Sequence, residues 1–381
     1  PAIIGGDQKT RHGVVLAKSF PAKKFGIHTG EPVVYALKKC PNLVMAPPNH
    51  DLYHAYSCRM MDFLHSLTPD IEQVSIDECY MDYSPIAAQY SSPEAAAAYI
   101  RDSVREKFHF TVNVGISDRK VLAKMASDFQ KPDKTHTLYQ EEIPEKMWPL
   151  PIEELFMAGK SSVDTLHKLG IFTIGQLAQS PVNILETHLK SHGRTLWEYA
   201  NGIDDSVVNP IIEDLKGVGN SVTLPNDLDN IEEIEKVLLM LSEKVAGRLR
   251  AGKQLAKTVA VEIKYNDFTK TSKQTTFEGQ TDSGTEIYQL SKELFSRVWS
   301  GKPVRLLGVR TSNLMAKGAP AQMSIMELFN ENRTDVGKKF GNALSREKLR
   351  KLDAALDEIK DKYGKDAISR ASLLKNKKTE D

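Results

Sequence analysis

The sequence predicts an α+β protein built from several domains. Stretches with strand-like and helix-like periodicity alternate along the 381 residues, and groups of prolines and glycines separate them into blocks. A block of short helices lies between two blocks that mix strands and helices, which is typical of an α+β chain. At roughly 100–200 residues per domain, the length predicts two to four domains.

The composition is that of a globular protein. Hydrophobic residues make up 40% of the chain and charged residues 27%, which argues against wholesale disorder. No run of 18 apolar residues exists, so no membrane partner is expected. The three cysteines, Cys40, Cys58 and Cys79, show no CxxC spacing. We therefore expect neither a disulfide framework nor a zinc site, and we predict a cytoplasmic location.

Positive charge is concentrated in one region. The whole chain has a net charge of only +1, but the segment from Lys244 to Lys317 has nine lysines and five arginines against six acidic residues, a local net charge of +8. This pattern predicts a surface that binds a polyanion such as nucleic acid. The alternative is a solvated basic face.

The first half of the chain predicts strands and helices in alternation. A short strand over residues 14–17 is followed by a helix from Asp51 to Leu67, where apolar residues recur at helical spacing. Two strands joined by a tight turn are predicted over residues 71–83. The remaining elements of this half are a helix over residues 92–108, a strand over 111–116 and a helix over 118–129.

The second half begins after three prolines: Pro144, Pro149 and Pro151. Residues 152–203 predict short helices interrupted by glycines. A linker is predicted over 208–220, because Gly217 and Gly219 favour a flexible segment. A second α+β module follows, with helices over 231–250 and 285–299 and strands over 258–265, 273–277 and 304–314; beyond it lie a charged helix over 345–363 and a basic tail.

Two adjacent carboxylates, Asp77 and Glu78, lie in the turn between the strands predicted over 71–83. An unpaired charge inside an apolar hairpin is costly, so clustered acids there indicate a bound cation. Oxygen ligands alone favour Mg²⁺ or Mn²⁺, and Mg²⁺ is commonly held by one or two carboxylates together with substrate phosphates. The alternative is a surface turn with solvated acids.

Cationic side chains follow in positions that suit a nucleoside triphosphate. Three lysines come after the strand that ends at Ile116: Lys120, Lys124 and Lys131. Phe20 and Lys23 precede a turn at Gly26 and are candidates for an aromatic face and a cation on the same ligand. Each of these lysines, taken singly, is also explained as a solvated surface residue.

Residues 155–171 predict two short helices joined at a glycine, a helix-hairpin-helix. Gly159 and Lys160 lie within this stretch. Backbone N–H groups at a helix N-terminus bind a DNA phosphate without reading its sequence. A glycine cap between any two helices gives a similar pattern.

Several motifs together resemble a Y-family DNA polymerase of the DNA polymerase IV-like translesion branch. They occur in consistent order over some 300 residues and comprise residues 11–17, 23–30, 47–53, 75–78, 113–117, 124–128, 155–171, 216–221 and 306–310. The resemblance implies a right-hand polymerase with fingers at 1–48, palm at 49–140, thumb with the helix-hairpin-helix at 141–207, linker at 208–216, little finger at 217–315 and a C-terminal tail with a charged helix at 316–381.

The resemblance also implies roles for individual residues. Asp77 is expected as a metal ligand and Glu78 as the adjacent catalytic carboxylate, with two Mg²⁺ ions in the complete protein and Mn²⁺ as a substitute. The expected nucleotide-binding residues are Phe20, Lys23 and Lys131. The expected DNA-binding residues are Gly159, Lys160, Arg248, Arg250, Lys257, Lys264, Arg305 and Arg310.

Three departures from the family pattern stand out. The family's first strand, which carries another metal-binding Asp and an aromatic steric gate, would lie before Pro1, so we expect an upstream segment. Phe20 and Lys23 replace a Tyr and an Arg, which removes a hydroxyl donor and a bidentate fork. His136 stands near the position of a triphosphate-binding Lys, and Lys131 or Lys134 is a candidate to replace it.

A peptide after the little finger is similar to the one by which these polymerases dock on the sliding clamp. Its candidate contacts are Gln322, Met326, Leu328 and Phe329. Met326 stands where the motif prefers Phe, and the alternative is a helix face packed on the charged helix at 345–363. The predicted partners are primer–template DNA, deoxynucleoside triphosphates and the clamp, and we expect a monomer.

The leading hypothesis is therefore a template-directed DNA polymerase for damaged templates, which adds nucleotides to a primer 3′ end by two-metal phosphoryl transfer. A catalytically inactive DNA-binding module is the second hypothesis, because the first metal-binding strand is missing from the sequence. A nucleotidyl cyclase-like palm is the third, but it gives no purpose to the helix-hairpin-helix or the basic module.

Overall fold

The structure is a computed structural model and describes residues 1–6, 13–211, 214–318, 343–364, 367, 368 and 370. Strands and helices both contribute to it, as the α+β class predicts. The strands are β1 Ala2–Gly5, β2 Val15–Lys18, β3 Val44–Ala46, β4 Ile71–Gln73, β5 Cys79–Met81, β6 Val114–Ile116, β7 Thr135–Thr137, β8 Gly217–Leu228, β9 Gln254–Tyr265, β10 Lys270–Thr281 and β11 Val304–Ala316.

The helices predicted over 51–67, 92–108, 118–129, 231–250, 285–299 and 345–363 begin and end within about two residues of those positions, whereas the helices at 20–23, 33–39 and 143–146 were not predicted. They are α1 Phe20–Lys23, α2 Val33–Lys39, α3 His50–His65, α4 Pro93–Phe108, α5 Lys120–Asp128, α6 Ile143–Lys146, α7 Lys160–Lys168, α8 Ile174–Ala178, α9 Val182–Leu189, α10 Ser191–Ala200, α11 Ile231–Ala251, α12 Gly284–Val298 and α13 Ala343–Tyr363. Within the described residues, none of these helices is long and apolar enough to cross a membrane.

The chain divides into two compact units. The first unit combines Pro1–Pro48 with Asp214–Asp381, and the second unit is Asn49–Glu213. In the N-terminal part of the first unit, β1 lies between β2, to which it is antiparallel, and β3, to which it is parallel. Helix α2 buries Val33 and Ala36 in the small core of this sheet, beside Ile3 and Val15.

The C-terminal part of the first unit is a four-stranded antiparallel sheet in the order β10-β9-β11-β8. Helices α11 and α12 cover one face and bury their apolar stripes against it. Val259, Val261 and Ile263 alternate along β9 toward this core, which also holds Phe295 of α12. The residues between them point to the opposite face of the sheet, because side chains alternate along a strand.

The predicted extension of the linker to residue 220 is wrong, because Gly217 and Gly219 lie in β8. The two glycines serve a close approach between strands and not a flexible turn. A Cβ on Gly217 would lie 2.5 Å from the Thr311 carbonyl oxygen, and one on Gly219 would lie 3.2 Å from the Arg310 side chain. The strand predicted over 111–116 is also shorter than expected, since only Val114–Ile116 pairs with β7.

The second unit joins a small mixed layer to a helical part. Strands β4 and β5 form a hairpin, and β6 and β7 form a parallel pair beside α5. The apolar side of α5, with Leu122 and Met125, packs in one continuous core with helical residues such as Leu166, Leu177 and Leu196. The predicted boundary between palm and thumb at residue 140 therefore crosses a shared core.

Candidate active site

The hairpin turn between β4 and β5 places the two predicted carboxylates side by side. The backbone N–H groups of Val74 and Ser75 donate to the Glu78 carbonyl oxygen at 3.0 and 3.1 Å. The Ser75 hydroxyl accepts from the backbone N–H groups of Asp77 and Glu78 at 3.3 and 3.1 Å, and it donates to the Asp77 carboxylate at 2.8 Å. One serine thus sets both the turn and the orientation of Asp77.

The carboxylates are exposed, so the expectation that they lie inside an apolar hairpin is wrong. Both Asp77 and Glu78 face solvent. Their apolar neighbours Val74 and Ile76 are also 53% and 48% exposed. A hydrogen bond to α3 fixes the turn instead: the Ser57 hydroxyl donates to the Ile76 carbonyl oxygen. The electrostatic cost of the acid pair is therefore small in this state.

Lys124 of α5 carries the positive charge nearest to the pair. Its Nζ lies 2.7 Å from Glu78 Oε1 and 3.1 Å from an Asp128 oxygen. Burial acts to lower the pKa of Lys124, but its hydrogen bonds to Glu78 and Asp128 outweigh burial and raise the pKa above its ordinary value. Lys124 is therefore a fixed cation that orients Glu78.

Gly115 of β6 allows α5 to reach this position. A Cβ on Gly115 would lie 1.9 Å from the Ala123 carbonyl oxygen and 2.6 Å from the Ser127 nitrogen. Any side chain there would push the helix away from the strand. The close approach of strand and helix brings Lys124 to Glu78, so a backbone feature of β6 sets a contact of the acid pair.

Asp77 and Glu78 fit a divalent cation that takes its remaining ligands from phosphates and water. Ser75 engages one Asp77 oxygen and Lys124 engages one Glu78 oxygen. No hydrogen bond among the described residues engages the other oxygen of either carboxylate, so each retains a free hard ligand of the type that Mg²⁺ prefers. The described residues contain no group of three or more His, Cys, Asp or Glu that could hold a metal by itself.

The predicted nucleotide-binding residues are distributed over both units. Phe20 begins α1 and is 51% exposed, and Lys23 ends the same helix, which Ser19 caps at its N-terminus. Lys131, in the second unit, forms an ion pair with Asp128 at 2.6 Å. Lys120, the first of the predicted triphosphate lysines, pairs with Glu72 instead, at 2.7 Å.

His136 lies in β7 opposite Gly115 in the parallel pair. Its ring meets the edge of Phe129 at 6.0 Å, and its Nε2 is buried without a partner among the described residues. Lys134, two residues earlier, is exposed. Lys131 and Lys134 are both exposed, and both stay predicted candidates for a phosphate contact.

The helix-hairpin-helix predicted over 155–171 differs in its bounds: this range holds one α-helix, α7, and the second helix, α8, begins at Ile174. Gly159 is the N-cap of α7 and Lys160 is its first residue, and both are exposed. A turn through Gly170, with φ +80°, leads to α8, whose N-terminus is capped by Thr173 and Gln176. No heavy atom lies within 4 Å of a Cβ built on Gly159, so the approach to this helix end is open.

Three of the predicted DNA contacts lie where β9 and β11 run side by side. Arg310 is exposed and pairs in register with Gly219 and Ala260. Lys264 and Arg305 flank the exposed ring of Phe268, with Nζ at 4.5 Å and the guanidinium carbon at 4.8 Å from the ring centroid. Phe268 was not predicted from the sequence, because Arg305 comes next to it only through the pairing of β11 with β9.

The four-stranded sheet β8–β11 with helices α11 and α12 is called the basic sheet module below. Its remaining basic residues differ in their surroundings. Arg248 donates to the Gly219 carbonyl oxygen at 2.9 Å, and Lys257 is half-buried in β9. The prediction that Arg250 contacts DNA is contradicted by its packing: its guanidinium holds both carboxylate oxygens of Asp357 in α13, at 2.5 and 2.9 Å, and is mostly buried.

The clamp-docking prediction lies outside the described residues, which end at 318 and resume at 343. This applies to all four predicted contacts: Gln322, Met326, Leu328 and Phe329. The charged helix predicted over 345–363 is present as α13.

Comparison with solved structures identifies the class of the fold. A Y-family DNA polymerase chimera of Dbh and Dpo4 superimposes with a TM-score of 0.71 at 24% sequence identity, covering 83% of this chain and 92% of the chimera. The fold, with its exposed carboxylate hairpin, helix-hairpin-helix and basic sheet module, is therefore that of a Y-family DNA polymerase.

Comparison of sequences identifies the family. The impB/mucB/samB family matches residues 1–128, and the C-terminal domain of the same family matches residues 215–325. DNA polymerase IV of Clostridium acetobutylicum is 44% identical over 98% of this chain and 90% of its own length. DNA polymerase IV of Moorella thermoacetica is 39% identical at the same coverage. The chain belongs to the impB/mucB/samB family, in its DNA polymerase IV branch.

Proposed function

We propose that this protein is a DNA-directed DNA polymerase for translesion synthesis, which extends a primer by one deoxynucleotide at a time on a damaged template. The observation that carries the proposal is the paired carboxylates Asp77 and Glu78, oriented by Ser75 and Lys124 on a hairpin of a Y-family fold. Full-length similarity to polymerases of the DNA polymerase IV branch supports it.

Asp77 and Glu78 would hold a divalent cation, for which the hard oxygen ligands and the phosphate substrate favour Mg²⁺. When bound, such a cation would offset the negative charge of the triphosphate and lower the pKa of the attacking primer hydroxyl. Ser75 keeps Asp77 oriented before substrate arrives. Lys124 holds Glu78 by one oxygen and so fixes the direction of its carboxylate. A site organised before binding loses less energy to reorganisation during the reaction.

The triphosphate contacts are assigned to Lys23, Lys131 and the ring of Phe20. Lysines bind phosphates as point charges, so these contacts orient the nucleotide less strictly than arginine forks would. Lys131 now forms an ion pair with Asp128, and its remaining N–H donors are available to a phosphate. A nucleotide that is oriented less strictly suits a polymerase that accepts distorted base pairs.

Contacts to the DNA backbone are assigned to two places on the protein. The open N-terminus of α7, with Gly159 and Lys160, offers N–H groups and a cation to one phosphate. Lys264, Arg305 and Arg310 offer cations from the sheet, and Arg248 and Lys257 are weaker candidates. Contacts of this type carry no sequence information, as template-directed synthesis requires.

The inactive-module alternative is not favoured, because the hairpin keeps both carboxylates and the cation that orients one of them. Docking of residues 322–329 on a sliding clamp remains a proposal that rests on the peptide alone. We expect its apolar side chains to enter a hydrophobic pocket, with Gln322 fixing the register.

Primer extension tests the proposed function. The full-length protein is incubated with Mg²⁺, a labelled primer and four templates that differ only in the next base. We expect each template base to direct its complement, and we expect extension past an abasic site. DNA binding without incorporation would contradict the proposal and support the inactive module; incorporation without template dependence would contradict it as well.

A further inference from the structure

Two ion pairs join α5 to the carboxylate hairpin as parallel contacts. Lys120 and Lys124 are four residues apart and therefore lie on one side of the helix. Lys124 reaches Glu78 in the turn, while Lys120 reaches Glu72 at the base of the hairpin, with Nζ at 2.8 and 2.7 Å from the two carboxylate oxygens. The helix thus holds the hairpin at both ends.

The chain that leads out of the helical part joins the lower contact. The backbone N–H of Asn209 donates to Glu72 Oε2 at 2.8 Å, and Lys120 Nζ donates to the Val207 carbonyl oxygen at 3.3 Å. Asp204 accepts from the Val121 backbone N–H at 2.9 Å and so caps the start of α5. Residues 204–209 and the base of the hairpin therefore share the same cation.

This contact is partly shielded from water. The side chains of Lys120 and Glu72 are 16% and 25% exposed, and Lys120 Nζ lies 4.9 Å from the centroid of the Tyr80 ring in β5. Removing one partner of a partly shielded pair leaves the other charge uncompensated, so replacing either residue alone destabilises the contact.

The hairpin needs such a contact. Strands β4 and β5 have three residues each and, among the described residues, pair only with each other. An isolated two-stranded hairpin is marginally stable in water. Its alignment therefore depends on what holds its base and its turn from outside.

We propose that Lys120 and Glu72 are positioning residues that couple residues 204–209 to the carboxylate hairpin. Docking of this segment, which continues into the predicted linker to the basic sheet module, keeps Asp77 and Glu78 aligned; its release loosens the hairpin. The proposal rests on the proposed function only for its effect on catalysis, because the structural coupling is measured without substrate.

Hydrogen exchange of the full-length protein tests the coupling. Lys120→Met keeps the aliphatic stem over Tyr80 and removes the charge, and Glu72→Gln keeps an acceptor for the Asn209 N–H. In both variants we expect exchange about tenfold faster or more, both over 204–209 and at the hairpin amides of 74–75. Faster exchange over 204–209 alone would overturn the proposal, as would unchanged exchange in both segments.

A control variant and a rescue separate coupling from general destabilisation. Arg194→Met breaks a more exposed ion pair of the same length, 2.7 Å, with Glu186 in the same unit, and should change exchange in neither segment. The double variant Glu72→Lys with Lys120→Glu should recover part of the lost protection. If Arg194→Met loosens the hairpin equally, or if a folded double variant recovers nothing, the coupling is wrong.

Kinetics extend the test to the reaction. In Lys120→Met we expect kcat for nucleotide incorporation to fall about tenfold, with KM for the nucleotide and Kd for primer–template within about twofold of wild type. A loss confined to DNA affinity would overturn the positioning role. If the wild-type protein incorporates no nucleotide, the proposed function fails, while the exchange result still decides the coupling.

Discussion

At the scale of single residues, the acid pair could be predicted and its surroundings could not. Two adjacent acids between strand-like runs single out Asp77 and Glu78 as a candidate site from the sequence alone. The partner of Glu78 depends on how closely α5 approaches β6, and this approach depends on the missing side chain of Gly115. Sequence spacing alone gave Lys120 and Lys124 the same role, whereas the structure pairs them with different acids.

The role of Gly115 leads to a stability prediction. In Gly115→Ala the new Cβ would meet backbone atoms of α5 that cannot move independently of the helix. We expect the free energy of unfolding to fall by about 2–3 kcal/mol, the upper range for overpacking. Urea denaturation measures it. Gly159→Ala is the matched control, since its Cβ meets no atom within 4 Å, and an equal loss in both variants would contradict the steric account.

The pair of Glu72 and Lys120 leads to a pH prediction. Burial acts to raise the pKa of Glu72, but hydrogen bonds from Lys120 and the Asn209 N–H outweigh it and hold the pKa below the ordinary 4.5. A carboxyl with a depressed pKa stabilises the fold above its unfolded-state pKa, and this stabilisation is lost as the pH falls through its folded-state pKa.

Wild type should therefore be more stable than Glu72→Gln at neutral pH, and the difference should shrink as the pH falls below 4.5. Denaturation midpoints measured across this range decide it. A difference that stays constant, or grows, toward acid pH would show that the charge of Glu72 contributes nothing.

At the scale of elements, the basic residues of the basic sheet module fall into two groups: some are available to DNA, and others pair with acids within the fold. Lys264, Arg305 and Arg310 lie along β9 and β11. Among the described residues, none of them forms an ion pair with an acid. Arg250, equally basic in sequence, is taken up by Asp357 of α13. The local charge of +8 marks the module as a candidate for DNA binding, but only packing distinguishes the arginines that serve the fold.

This distinction predicts different salt dependences of DNA binding. Each phosphate contact contributes a slope of about −0.9 to the plot of log affinity against log salt concentration, so Arg310→Ala should lower the magnitude of the slope by about that amount. Arg250→Ala should leave the slope unchanged. Fluorescence anisotropy with labelled primer–template measures both, and Arg297→Ala on α12, the helix-covered side, is the matched control.

If Arg310→Ala leaves the slope unchanged, the sheet is a solvated basic face. If Arg250→Ala lowers the slope as much as Arg310→Ala does, then Arg250 exchanges its partner in α13 for DNA when the duplex binds. The first result would contradict the assignment of the sheet, and the second would contradict the assignment of Arg250.

At the scale of the whole molecule, element types followed from the sequence and their grouping did not. Periodicity and proline positions predicted the hairpin, α5 and the long helices of the basic module, since these depend on local pattern. The shared core of Leu122 with Leu196 brings together residues far apart in sequence, and no local signal marks it. Gly217 and Gly219 were misread because a glycine that permits close approach looks, in sequence, like a glycine that permits a turn.

The account depends on Asp77 and Glu78 as the acids that serve the reaction. The most direct test is single-turnover nucleotide incorporation by the full-length protein with Asp77→Ala or Glu78→Ala, alongside primer–template affinity. We expect incorporation to fall at least about 100-fold with Kd for DNA nearly unchanged, because the acids serve the metal and the transition state and not DNA grip. The control Glu145→Ala, an exposed acid of the same unit, should behave as wild type. Incorporation by either hairpin variant at more than a few per cent of the wild-type rate would contradict the account.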